Sequence, residues 1–205
     1  LFRSNNIGNV LLAQGRAEAA IESFRKAATI QPRFVQAHYN LGAALAAAGR
    51  HPEAIASYRA AIALAPDFAE AHNNLAISLR ATADGRGAVQ GFRRAVELRP
   101  DFAEAHNNLG NALEAEGDSS AALASYGRAA ELRPDFAEAH CNLADALARR
   151  KLYGDAVPAY RRAIALRPDL VGAQLNLGNA LYAAHRFPEA QAAFEATLAV
   201  KPDLF

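Results

Sequence analysis

The chain has 205 residues, no methionine, no tryptophan and a single cysteine, Cys141. One cysteine excludes an internal disulfide framework and fits a reducing compartment, so a cytoplasmic location is expected. No apolar run approaches the roughly 18 residues that a spanning helix needs, and no membrane partner is expected. Excess charge is missing as well. The 22 basic side chains stand against 21 acidic ones, for a formal net charge of +1, which removes the electrostatic reason for a nucleic-acid partner. Because the chain opens on Leu1 and contains no methionine, its natural start is expected elsewhere, with any targeting segment out of view.

Catalytic signatures are absent too. There is no glycine-rich phosphate loop, nucleophile elbow or pair of catalytic carboxylates. Cys141 has only the adjacent His140 beside it, which does not make a nucleophile. His38, His72, His106 and His140 recur one per 34 residues, too far apart to converge on a metal, and are read as packing residues; His51 and His185 are read as surface residues. No enzyme activity, cofactor or metal is therefore expected of this segment.

What the chain has is repetition. PDFAEAHNNLG starts at Pro100, PDFAEAHNNLA at Pro66 and PDFAEAHCNLA at Pro134, with looser copies at Pro32 and Pro168 and a further proline, Pro202, on the same interval of 34. Such a period marks a solenoid, in which each unit buries its apolar face only against its neighbours. Six units fall at 1–34, 35–68, 69–102, 103–136, 137–170 and 171–204 of one domain, 1–205.

Each unit reads as two helices. Position 7 of the unit is Leu or Ile, position 11 is Leu and position 8 is always Gly or Ala, an apolar stripe with a notch for a close neighbour. The second helix carries Ala at position 20, Phe or Tyr at 24 and a small residue at 27, and stops at Pro32 and its equivalents. Gly15, Gly49, Gly85 and Gly117, then Gly154 and Pro188, are expected to mark the break between the helices. Asp67, Asp101 and Asp135, three residues before Glu70, Glu104 and Glu138, suggest capping boxes. Arg99, Arg133 and Arg167 are placed to complement the dipole at the end of the second helix.

This pattern of period, leucine, small residue, alanine, aromatic and proline resembles the tetratricopeptide repeat family, although position 4, where the family often has a large ring, holds Ser4, four histidines and Gln174. The resemblance implies an all-α, right-handed superhelical α-solenoid of six 34-residue helix-turn-helix repeats that binds protein. Within the family, FAEAHNNLG looks most like the repeats preceding the catalytic domain of protein O-linked N-acetylglucosamine transferases, which line their channel with asparagines at the matching place.

At about 100° per residue, positions 2, 6, 9 and 13 of the first helix share a side opposite the packed stripe. Position 6 is asparagine in every copy: Asn6, Asn40, Asn74, Asn108, Asn142 and Asn176. Each opposes helix formation by up to about 0.7 kcal/mol relative to alanine. A primary amide has donors and an acceptor suited to an extended peptide's main chain, so this row is expected to bind one; bonding to the neighbouring helix is the alternative. Asn9, Asn111, Asp145 and Asn179 at position 9 are secondary candidates, as are Glu70, Glu104 and Glu138, for which capping is the first explanation. No Lys or Arg occupies position 2, 5, 6 or 9, which argues against the carboxylate clamp of chaperone-binding members; Arg80 and Arg149 are expected at a groove edge. The expected function is a module binding an extended peptide or protein segment. The alternative is the substrate-recognition arm of a larger glycosyltransferase, and the uncapped ends allow self-association.

Overall fold

The computed structural model describes residues 3–200, so Pro202 lies outside the described residues. Twelve helices and no strand occur among them: α1 Arg3–Ala13, α2 Ala17–Ile30, α3 Val35–Ala47, α4 His51–Leu64, α5 Ala69–Ala81, α6 Gly85–Leu98, α7 Ala103–Ala115, α8 Ser119–Leu132, α9 Ala137–Arg149, α10 Tyr153–Leu166, α11 Val171–Ala183 and α12 Phe187–Val200. They form two compact units, Leu1–Asp101 and Phe102–Phe205. Each unit is an α-solenoid segment of three helix hairpins, in which consecutive helices pack on one another.

The hairpin seam follows from the small residues. Alanine at position 20 is 0% exposed in five repeats and 2% in the sixth. Opposite it, the aromatic ring at position 24 lies over the notch at position 8; a Cβ on Gly110 would sit 2.5 Å from the Tyr126 ring. In the third repeat the notch carries Ala76, and the missing atom has moved to its partner: a Cβ on Gly91 would lie 2.9 Å from that of Ala76. The two surfaces thus trade one methyl group while the helices keep close contact.

The turn inside every hairpin sits at position 15. Gly15, Gly49 and Gly117 have φ of 72°, 74° and 86°, but Ala83, Lys151 and His185 adopt 63°, 61° and 59° in the other repeats. Gly85 and Gly154, expected at this break, instead lie in the first turn of α6 and α10, and Pro188 in that of α12. The reason is a hydrogen-bonded closure common to all six. The N–H of Arg16, Arg50, Asp84, Asp118, Leu152 and Arg186 donates at 2.9–3.0 Å to the carbonyl of Leu11, Leu45, Leu79, Leu113, Leu147 and Leu181. This six-to-one bond requires a left-handed residue before its donor, whatever the side chain.

Between hairpins, the residue before proline is extended, as at Arg99 (φ −136°, ψ 90°) and Arg133 (φ −136°, ψ 90°). The histidines at position 4 fasten this link. Nε2–H of His38, His72 and His140 donates to the carbonyls of Pro32, Pro66 and Pro134 at 2.9, 3.0 and 3.2 Å. Gln174 reproduces the bond to Pro168 at 2.8 Å. These histidines therefore tie a loop, a more specific role than packing.

The capping boxes do not form. α5, α7 and α9 begin after Phe68, Phe102 and Phe136 with no side-chain cap bond. Glu70 and Glu104 pair instead with Arg99 and Arg133, at 2.7 and 2.6 Å, across their own hairpin. The arginines stand one residue past α6 and α8 and reach back to these acids, whereas Arg167 turns to Asp169 at 3.4 Å. Side-chain caps occur on second helices: Asp84 accepts from the N–H of Gly87, and Asp118 from that of Ala121.

Candidate functional site

Within each unit, members of the asparagine row bond to the repeat before their own. In the first unit, Nδ2 of Asn40 donates to Oδ1 of Asn5 and of Asn9 at 3.1 and 3.4 Å, and that of Asn74 to the Tyr39 hydroxyl at 3.0 Å. In the second, Nδ2 of Asn142 donates to Oδ1 of Asn107 and Asn111 at 2.9 and 3.3 Å, and that of Asn176 to Oδ1 of Asp145 at 3.0 Å. At these four residues position 6 thus lies over positions 5 and 9 of the preceding first helix and donates to them. Of the remaining members, Asn6 is exposed and Asn108 half-buried. A row of free amides gripping a main chain is not the arrangement at Asn40, Asn74, Asn142 and Asn176; the neighbouring-helix alternative describes these four.

Position 9 is the junction of this network. In the second unit, Oδ1 of Asn111 also accepts from the Tyr126 hydroxyl at 2.9 Å, and Oδ1 of Asp145 from the Tyr160 hydroxyl at 2.6 Å. Each tyrosine, buried under its own hairpin, is thereby tied to the first-helix surface. Burial, then the bond to Asp145 and its charge, push the Tyr160 hydroxyl well above the usual phenol range; burial raises Tyr58 similarly. Glu138, at position 2, accepts from Nδ2 of Asn107 at 3.4 Å.

Two adjoining concavities open over this network within the second unit. One, of about 470 Å³, is lined by Asp145, Arg149, Tyr153, Tyr160, Asn176 and Asn179 among others. The next, of about 350 Å³, is lined by Asn111, Glu114, Tyr126 and Asn142, and shares Asp145 and Arg149 with the first. Positions 6, 9 and 13 therefore border open space here. Asn179 is exposed, and Arg149 is held by Glu114 at 3.2 Å.

Sequence reasoning missed Tyr153, Glu114 and the tyrosine hydroxyls. The available signal was a pairing: only the fourth and fifth repeats combine a polar position 9, Asn111 or Asp145, with tyrosine at 24. Cys141 lies behind the surface at position 5. Burial, then the carboxylates of Asp145 and Glu138, push its thiol up to about 11, so it is a poor nucleophile at neutral pH. No group of three or more His, Cys, Asp or Glu side chains that could hold a metal occurs among the described residues. No helix among them is long and apolar enough to cross a membrane.

Sequence profiles of the tetratricopeptide repeat match residues 5–69 and 147–204, and a TPR repeat profile matches 86–117 and 110–151. The chain belongs to the tetratricopeptide repeat family. No curated protein sequence matches it. Among solved structures it is similar to Pseudomonas aeruginosa PilF, with a TM-score of 0.84 at 20% identity over 98% of this chain and 91% of PilF. YrrB, described as a TPR protein with an unusual peptide-binding site, has a TM-score of 0.78 at 20% identity, over 90% of this chain and 95% of its own. MamA has a TM-score of 0.73 at 23% identity, over 79% and 95%. At these identities the likeness is one of fold: a TPR chain of stacked helix hairpins.

Proposed function

We propose that this TPR chain is a non-catalytic protein-interaction module, and that the first-helix face of its second unit seats an extended protein segment. The observation that carries the reading is the pair of adjoining concavities bordered by Asn111, Asn142, Asp145, Arg149, Asn176 and Asn179. Their polar floor is already bonded, so no buried amide has to be rebuilt when a ligand arrives. Their rims supply what a segment needs: the exposed amide of Asn179 and the carbonyl oxygens of Asn142 and Asn176, whose N–H groups point to the preceding repeat.

Asn6, Asn9, Asn40, Asn74 and Asn108, with Glu70, Glu104 and Glu138, serve on this reading chiefly to set the spacing and rigidity of the first helices. The glycosyltransferase-arm alternative keeps the FAEAHNNLG run in its favour, but four of the amides it would offer to a substrate donate between repeats.

An array of capped twelve-residue peptides tests the proposal. The wild-type protein should capture a subset, and Asn179→Trp, which fills the larger concavity from an exposed position, should abolish capture at an unchanged melting temperature. Capture indifferent to that substitution contradicts the placement, and no capture contradicts the function.

A further inference from the structure

The larger concavity has one feature that the bonded network leaves unexplained. Asp145 receives two hydrogen bonds, from the Tyr160 hydroxyl at 2.6 Å and from Nδ2 of Asn176 at 3.0 Å, and both go to Oδ1 from neutral groups. Among the described residues no lysine or arginine forms an ion pair with it. Arg149, which lines the same concavity, forms its ion pair with Glu114 at 3.2 Å. A half-buried carboxylate held by neutral donors, with its second oxygen unbonded, is the kind of group that gains most from a charge-assisted bond.

Its surroundings select the sign and shape of the ligand. Tyr153 and Tyr160 flank the space, and Asn179 adds an exposed amide oxygen at its rim. An aromatic wall beside a carboxylate favours a planar cation, which can stack on the ring while its N–H groups reach separate acceptors. The wider charge agrees. Residues 102–205 carry ten basic and thirteen acidic side chains, and Glu138 stands behind the site, its carboxylate accepting from Asn107. From the side of the neighbouring helices, the charged groups near the cavity are Glu114, Glu138 and Arg149, so acids outnumber the single, already paired cation.

We infer that Asp145, with Tyr153 and Asn179, forms a seat for a basic side chain of the bound segment, arginine in preference to lysine. The inference rests on the peptide-binding reading above and adds to it the chemistry of the partner: a segment with an arginine that enters the 470 Å³ concavity.

The test uses the full chain and the twelve-residue peptides that the array captures best. Basic residues should be enriched at one position of the captured set. Replacing that arginine by citrulline, which keeps its shape and removes its charge, should weaken binding by about tenfold or more. In Asp145→Asn, which preserves an acceptor for Tyr160 and Asn176, the arginine and citrulline peptides should bind alike. If the wild type captures peptides without basic enrichment, or binds citrulline as well as arginine, the seat is disproved while the binding reading stands. Equal loss on citrulline replacement in wild type and Asp145→Asn also disproves it. Capture of no peptide removes both. The wild-type citrulline comparison leaves the protein untouched, so indifference to citrulline disproves the seat even if the Asp145 variant folds poorly.

Discussion

The two units are built on one frame but present different first-helix surfaces. Position 9 is Asn9, Ala43 and Ile77 in the first, and Asn111, Asp145 and Asn179 in the second. In the first unit Tyr39 occupies the surface, its ring centroid 5.9 Å from that of Tyr58 and 4.8 Å from that of Phe68. In the second, Tyr126 and Tyr160 at position 24 send hydroxyls to Asn111 and Asp145 from below, and the space above stays open. Charge follows the same division: twelve basic and eight acidic side chains in residues 1–101 against ten and thirteen in 102–205. The repeat thus separates two tasks. Positions 8, 11, 20 and 27 and the ring at 24 hold the stack, while 5, 9 and the presence of a hydroxyl at 24 set what each first-helix surface presents.

The largest break in this comparison should come from the shared frame. Phe92→Ala and Tyr160→Ala remove fully buried rings from the first and second units and should each cost about 3–5 kcal/mol in urea unfolding. A loss confined to one unit's variant would show that the two seams are not equivalent. Gly110→Ala places a methyl group 2.5 Å from the Tyr126 ring and should cost about 1–3 kcal/mol, whereas Ala144→Gly at the matching notch should cost about 1 kcal/mol, chiefly backbone entropy.

Tyr160→Phe tests the bond from position 24 to position 9, which Phe92 and Tyr58 in the first unit, with Ile77 and Ala43 at position 9, cannot make. It should destabilise by about 1.5–3 kcal/mol at neutral pH, the range for a bond to a charged group. Its pH profile carries the sign. The folded phenol of Tyr160 has a raised pKa, so its stabilisation is complete below the unfolded value near pH 10 and declines as pH rises beyond it. The variant should therefore lose less stability than wild type between about pH 10 and 11. Equal slopes would contradict the burial of that hydroxyl.

The smallest effects concern turns and the amide ladder. Ala83→Gly and Lys151→Gly relieve left-handed residues at φ 63° and 61° and should each stabilise by about 0.5–1 kcal/mol, one in each unit. Asn142→Ala removes two bonds but gains helix propensity, so its net change should fall within about 1 kcal/mol.

These residues also show what could be read from the chain alone. The hairpin seam was legible because a small residue every 34 positions has one physical use, close helix packing. The turn was not. Glycine marks it at 15, 49 and 117, but Ala83, Lys151 and His185 hold the same conformation because the carbonyl of the preceding leucine demands it. The constant asparagine at position 6 was plain, and its partners were hidden by their variety: Asn5 and Asn9, the Tyr39 hydroxyl, Asn107 and Asn111, then Asp145. Positions that drift in identity while continuing to supply an oxygen look unconstrained in sequence and are fully constrained in space.

The most direct test of the proposed binding face is an NMR titration of ¹⁵N-labelled protein with the best captured peptide. The side-chain amides of Asn111, Asn142, Asn176 and Asn179 and the backbone around Arg149 should shift together and saturably, with the first unit nearly unchanged. Shifts centred on α8, α10 and α12, or spread evenly over both units, would contradict the account.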